Sequence, residues 1–337
     1  MPDTTAAAQR PEFHHSHSAH CESGVMSSLL RHYGLDISEP MAFGLASALA
    51  FAYVPIIRVG GFPLFAYRMP PGAIIKGLRK SLGVKMRLHH YRNEQAGMKA
   101  LDDHLDSGRV VGLQSSVYWL PYFPPDMRFH FNAHNLIVFG RNEAGGYRIS
   151  DPVFEHTVTC PAADLQKARF VKGVFAPRGL LYYPERMPTT IDYDHAVGKA
   201  VKKTAFRMLK APLSFVGVRG IRTLARRLGG LPSSGTDPRY ARLLVAQIIR
   251  MQEEIGTGGG GFRFMYASFL QEASDRIGQS HLSEAAAAMT EAGDAWRDFA
   301  LAGARLCRDR GNSDYAGLAH KLFTCAEREE SAYRMML

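Results

Sequence analysis

Cysteine is scarce in this chain, with four residues in 337 (Cys21, Cys160, Cys307 and Cys325), none of them near another. Wide, irregular spacing excludes a disulfide framework and a structural zinc site, so each cysteine is judged alone. The first 25 residues lack the apolar stretch of roughly 7–15 residues behind a basic start that a secretory signal needs, and the chain is expected in the cytoplasm. The longest uncharged run, Pro40 to Ile57, contains Gly44 and Pro55 and stops at Arg58, short of the ~20 apolar residues of a bilayer span, so it reads as buried core. No repeat of fixed period is present. Acidic residues are missing altogether from Lys199 to Arg227.

What is present is enough apolar material, 46% of the residues, for two packed domains, since a single core rarely organises so long a chain. Val110 to Leu113, Asn135 to Phe139 and Tyr147 to Ile149 have the extended pattern of strands, with glycine and asparagine between them. From about Asp192 onward Ala, Leu, Arg and Glu recur at helical spacing, as in Leu282, Ala285, Ala286 and Met289. The change falls between Tyr183 and Pro188, where two prolines bracket a short polar segment. The expected division is an α+β domain over 1–185 and a mainly α-helical domain over 190–337.

Cys21 precedes Val25, Leu29 and Tyr33, which share one helical face, and Gly34 suits a C-terminal cap, so Cys21 lies at or just before a helix N-terminus. The positive end of a helix dipole favours thiolate, the nucleophilic form of cysteine. The bland alternative is a small buried hydrophobe, the usual fate of a cysteine. His134 opens one apolar strand and Asp151 closes the next, with Gly140 to Gly146 turning between them. A hairpin centred on Asn142 and Glu143 would set 134 and 151 opposite each other, with Cβ atoms about 5 Å apart. Asp151 could then hold one imidazole nitrogen while the other serves the sulfur. A satisfied core histidine and a turn-starting aspartate before Pro152 are the competing reading.

His20-Cys21-Glu22-Ser23, His130-Phe131-Asn132-Ala133-His134 and Asp151-Pro152 together resemble the family of the butirosin-biosynthesis acyltransferase. Gly256-Thr257-Gly258-Gly259-Gly260-Gly261-Phe262-Arg263 looks like the signature of that family's usual helical companion domain. The resemblance implies a papain-like cysteine-peptidase fold, with Cys21 as nucleophile, His134 as general base and acid, and Asp151 as the residue that orients the ring. It implies acyl transfer from the phosphopantetheine thioester of an acidic acyl carrier protein to a small amine or alcohol. No cofactor of the chain's own is expected beyond that carrier-borne arm. A cysteine peptidase or amidase is the alternative, and a non-catalytic membrane- or partner-binding protein the third. Papain-like enzymes generally place a glutamine about six residues before the cysteine; His15 stands there, so His15, His20, Glu22 and Tyr118 are the candidates around the oxyanion and substrate, with the Cys21 backbone N–H as a further donor. Tyr118, Trp119, Tyr122 and Phe123 either wall an acyl pocket or pack in the core.

A net charge of +10 points to acidic partners. Lys202, Lys203, Arg207, Lys210, Arg219, Arg222 and Arg226 make the acid-free segment a candidate docking surface for the carrier protein. Leu209, Leu213, Phe215 and Val216 among them leave an anionic membrane surface as the rival, which would make the chain peripheral at the inner face of the membrane. Nucleic acid is not expected, because no reader motif accompanies the charge. The Gly256–Gly261 run lacks the Gly-Lys-Ser/Thr ending of a P-loop. Gly258, Gly259 and Arg263 would instead cradle a pantetheine phosphate or an acidic group, unless the run is a bare linker. Histidines 14, 15, 17 and 20 are assigned no metal.

Overall fold

The computed structural model describes residues 12–309 and 314–337, so residues 1–11 of the expected first domain and 310–313 of the second lie outside the described residues. In chain order the first elements are α1 (Cys21–His32), α2 (Glu39–Leu45), β1 (Leu49–Val59), β2 (Phe62–Arg68) and α3 (Ala73–Ser81). They are followed by β3 (Lys85–His89), α4 (Glu94–Asp106), β4 (Val111–Ser115), β5 (His134–Arg141), β6 (Tyr147–Ser150), β7 (Val158–Cys160), α5 (Ala162–Phe170) and β8 (Leu181–Arg186). The rest is helical: α6 (Tyr193–Lys210), α7 (Gly217–Gly229), α8 (Pro238–Glu253), α9 (Arg263–Ile277), α10 (Ser280–Arg308) and α11 (Tyr315–Met335).

The chain forms two compact units, one from the described part of Met1–Ile37 with Val84–Met187, the other from Ser38–Gly83 with Pro188–Leu337. The first is α+β, the second mainly helical. The continuous first domain drawn over 1–185 therefore needs correction, because residues 38–83 pack with the helices. The cause is aromatic: Phe51 of β1 and Tyr67 of β2 lie against the fully buried Trp296 of α10, with ring centroids 5.8 and 5.6 Å away. Gly44 of α2 also meets the Phe269 ring so closely that any Cβ there would overlap it. The run from Pro40 to Ile57 is likewise not uniform core. It splits into α2 and β1, and Met41 through Phe51 is buried while Pro55, Ile56 and Ile57 are exposed.

In the α+β unit six antiparallel strands run in the order β3-β8-β4-β5-β6-β7. Met98 and Leu101 of α4, Val111 and Leu113 of β4, Leu136 and Val138 of β5 and Leu165 of α5 share one buried cluster. Burying each such side chain contributes about 1.5–3 kcal/mol. Helix α1 packs against β5 and β4 and is buried from Cys21 through Leu30. It ends in a Schellman turn: Gly34, at φ +93°, donates its N–H to Arg31 O, and Leu35 N–H reaches Leu30 O at 2.9 Å.

Candidate active site

Three side chains meet where α1 begins, β5 begins and β6 ends. Cys21 is the first residue of α1, after His20 as N-cap, whose Nδ1 accepts from Ser23 N–H at 3.3 Å. That N–H is one of the helix-start donors that would otherwise lack a partner, and the Gly24 N–H makes the first regular turn bond, to His20 O at 2.9 Å. Ser18 N–H to Pro152 O, 2.9 Å, ties the approach to α1 to the segment just after Asp151. The absence of a side chain at Gly24 permits this, since a Cβ there would fall 2.5 Å from Ser18 Cβ and 3.0 Å from Pro152 Cβ.

His134 and Asp151 are both buried, and His134 Nε2 stands 2.7 Å from Asp151 Oδ2. They do not face each other across the hairpin as the centred turn predicts. The ladder pairs Arg141 with Tyr147, is offset by a bulge between Val138 and Gly140, and ends at Ile137 with Ser150. The turn runs instead from Asn142 to Gly146, whose N–H groups and carbonyls close on each other, with Gly145 at φ +76°. Asp151 therefore reaches His134 diagonally, from just past the end of its strand, a distance that a long polar side chain spans.

Asp151 is gripped from three sides. Besides His134, Oδ2 accepts from the Tyr122 hydroxyl at 2.9 Å and Oδ1 from the Val153 N–H at 3.1 Å. Burial and the adjacent carboxylate push the Tyr122 phenol well above its ordinary pKa, so it stays a donor. Burial by itself lowers the pKa of His134, but the charge and hydrogen bond of Asp151 outweigh it, and a hydrogen bond with Cys21 adds to them, raising His134 to about 10. At neutral pH the ring is thus an imidazolium with Nε2 on the carboxylate and Nδ1 left for the sulfur. Phe123 stands edge-on to the ring at 5.5 Å and keeps that side dry.

The other candidates divide. Both ring nitrogens of His15 are engaged, Nδ1 with Ser150 Oγ at 2.7 Å and Nε2 with Phe154 O at 2.9 Å, so His15 braces the chain on either side of Asp151. Glu22 is fully buried, and the buried Tyr182 phenol, raised by burial and then by Glu22 and Cys21, lies beside both while donating to Asn135 Oδ1 at 2.9 Å. Tyr118 is exposed and stacks on His130, centroids 4.0 Å apart. Tyr122 is a second holder of Asp151, which spacing alone could not reveal because 29 residues separate them. Asn132, two residues before His134, donates to Val174 O at 3.0 Å. That bond holds a loop carrying exposed Val174 and Phe175, the latter at φ +55°, strain of the sort that collects at functional sites.

The glycine-rich segment has a different role from the one expected of it. Gly258 through Phe262 hold five consecutive positive φ values, from 55° to 83°, and Phe262 stacks on Phe43. The Gly260 N–H already points at an anion, the carboxylate of Glu253, at 3.2 and 3.3 Å. Arg263 does not offer its guanidinium to a phosphate: it is fully buried, 2.8 Å from Glu329, with Nη1 donating to Gly261 O. Glu329 accepts as well from Trp296 Nε1 at 2.6 Å. Within the basic segment Arg207 is taken up by Ser47 O and Leu49 O, and Arg222 by Glu330, which removes both from the docking set. Lys202, Lys203, Lys210 and Arg219 remain exposed. Among the described residues no group of three or more His, Cys, Asp or Glu is placed to hold a metal, and no helix is long and apolar enough to cross a membrane.

Residues 163–336 match the family described as "Domain of unknown function (DUF4872)", which is more than half of the chain. The chain belongs to the DUF4872 family. Residues 20–152 match "Butirosin biosynthesis protein H, N-terminal", so this DUF4872 protein begins with a butirosin H-like part that spans Cys21, His134 and Asp151. No curated protein matches the chain. At the coarse level the second match supports a biosynthetic enzyme of the butirosin H type.

Proposed function

We propose that this DUF4872 protein is an acyltransferase that carries an acyl or aminoacyl group on the Cys21 sulfur, delivered by an acyl carrier protein thioester and passed to a small amine or alcohol. The observation that carries the reading is the buried His134–Asp151 pair at 2.7 Å with the free ring nitrogen on Cys21. A helix bearing the cysteine at its first turn, packed on a sheet bearing the histidine and the aspartate, is the arrangement of a papain-like domain, and we read the fold so. The match to butirosin biosynthesis protein H supports biosynthesis as the setting.

In the first half-reaction the Cys21 sulfur attacks the thioester carbonyl, the carbon–sulfur bond to the pantetheine arm breaks, and His134 gives its proton to the leaving thiolate. The new bond is again a thioester, so little energy is lost. In the second, the amine or hydroxyl attacks the acyl-enzyme, the nucleophile's proton passes to His134, and the Cys21 thiolate leaves. Asp151 keeps the ring in one tautomer and steadies the cation, and the Cys21 backbone N–H, at the start of α1, faces the carbonyl oxygen as charge builds. Lys202, Lys203, Lys210 and Arg219 are the bases that would meet an acidic carrier.

Incubating the chain with an acylated carrier protein and recording intact mass tests this. A mass gain equal to the acyl group, absent in Cys21→Ala and discharged by an added amine, is expected. No gain in the wild type, a gain that survives Cys21→Ala, or free acid released at the same rate without amine would each defeat acyl transfer, the last in favour of a hydrolase.

A further inference from the structure

In the helical unit the β1–β2 ribbon ends in a feature that no step of acyl transfer uses. The ladder pairs Val54 with Leu64, then Arg58 with Pro63 and Val59 with Phe62, so Pro55, Ile56 and Ile57 are looped out with no partner on β2. The proline has no N–H to pair, which favours such a bulge. Ile56 is 85% exposed, Ile57 49% and Val59 58%, three aliphatic side chains presented to solvent at one tip. Arg58 stands between them, its guanidinium on Gly61 O at 3.0 Å. A single exposed aliphatic residue means little, but a cluster marks a surface that meets something apolar.

Two further observations say what. First, an antiparallel bridge from Ala52 to Val216, with Tyr53 N–H on Phe215 O, lays the α6–α7 connection along β1 toward the bulge, and Leu213 on it is 50% exposed. Secondly, the two segments that build this tip carry bases and no acid of their own: no Asp or Glu occurs between Pro40 and Gly83 or between Lys199 and Arg227. Arg227 reaches the hydroxyl of Tyr53, on the strand that leads into the bulge, and the charge of Arg58 acts on the same phenol.

We infer that the bulge at Ile56 and Ile57, with Val59, Leu213, Arg58 and Arg227, docks this protein on an anionic phospholipid bilayer, the aliphatic tip entering between headgroups while the bases meet their phosphates. Aliphatic side chains at a ribbon tip neither stack on bases nor hydrogen-bond to them, which sets nucleic acid aside. A ribbon tip that presents exposed aliphatic side chains together with arginines is what interfacial binding requires.

The test uses the full chain and floated vesicles of phosphatidylcholine alone or mixed with phosphatidylglycerol, with the triple variant Ile56→Ser, Ile57→Ser, Val59→Ser and, separately, Arg58→Ala. Because all four side chains are exposed, circular dichroism and melting should match the wild type. Expected are binding to the anionic vesicles only, weakening in high salt, at least a tenfold loss in the triple variant, and about a fivefold loss in Arg58→Ala. No flotation with either vesicle, or equal flotation of the triple variant, overturns the proposal. A dimer in light scattering that the triple variant dissolves would assign the tip to a second copy, and retention on an acidic carrier protein that the triple variant loses, without flotation, would assign it to a protein partner; either result overturns it too.

Discussion

At the scale of single residues the buried pair His134–Asp151 leaves a mark on stability. The pKa of His134 stands near 10 in the folded chain against 6.5 in the unfolded one, so the folded state holds the proton more tightly. Its contribution is full below about pH 6.5 and is lost as pH rises through about 10. Urea midpoints measured from pH 6 to pH 10.5 should therefore fall more steeply for the wild type than for Asp151→Asn, in which the raising carboxylate is gone; parallel profiles would mean that the imidazolium is not held as the geometry says. Tyr122→Phe removes one of the donors on Asp151, and a hydrogen bond to a charged group is worth about 1.5–3 kcal/mol. Cys21 acylation should slow by about tenfold or more in that variant, measured by intact mass, with the chain still folded. That Cys21 starts a helix, that His134 starts a strand and that Asp151 follows one was legible in the sequence, because periodicity and turn residues mark element boundaries. Tyr122 and His15 were not legible as holders of Asp151, since their pairing arises only when distant segments pack.

At the scale of elements the glycine-rich segment before α9 shows how a motif can be prominent for backbone reasons. Gly261 holds φ +58°, and a Cβ there would meet the Tyr67 ring at 2.5 Å, so neither the conformation nor the space admits a side chain. Gly261→Ala should cost about 1–3 kcal/mol and lower the melting temperature, while Gly235→Ala, in an open turn with no neighbour within 4 Å, carries the conformational cost alone and should do less damage. Calorimetry of the two variants compares them directly. The β5–β6 hairpin teaches a related point about register. Its strands were readable from alternation and its turn from glycine and asparagine, yet the turn centre and the bulge after Val138 were not, because several offsets satisfy the same apolar pattern.

At the scale of the whole molecule, the assignment of Ser38–Gly83 to the helical unit changes what can be cut. A fragment ending at residue 187 would retain Phe51 and Tyr67 without Trp296, leaving apolar aromatic surface with no cover. Such a fragment should bind a hydrophobic dye and aggregate on size exclusion, whereas the intact chain should not. The helical unit has its own vulnerable point in the buried Arg263–Glu329 pair, both residues fully shielded from solvent. Burial lowers the pKa of Arg263, but Glu329 more than compensates, so the guanidinium depends on its partner. Glu329→Ala should destabilise by about 3–5 kcal/mol in urea unfolding, since it strands a buried charge, and Glu329→Gln should do less harm by retaining an acceptor for Trp296.

Local periodicity, turn residues and charge along the chain determined by themselves that an α+β half precedes a helical half, that Cys21 begins a helix, and that residues 199–227 form a basic segment without acid. These are properties of neighbours in sequence, set by backbone sterics and by which faces are apolar. Only the tertiary structure decided that residues 38–83 leave the first unit for the second, that Arg207, Arg222 and Arg263 are internal ties, and that Asp151 meets His134 along a diagonal. Each of these depends on which distant surfaces exclude water from each other, and a linear pattern records that a face is apolar without recording what it will be packed against.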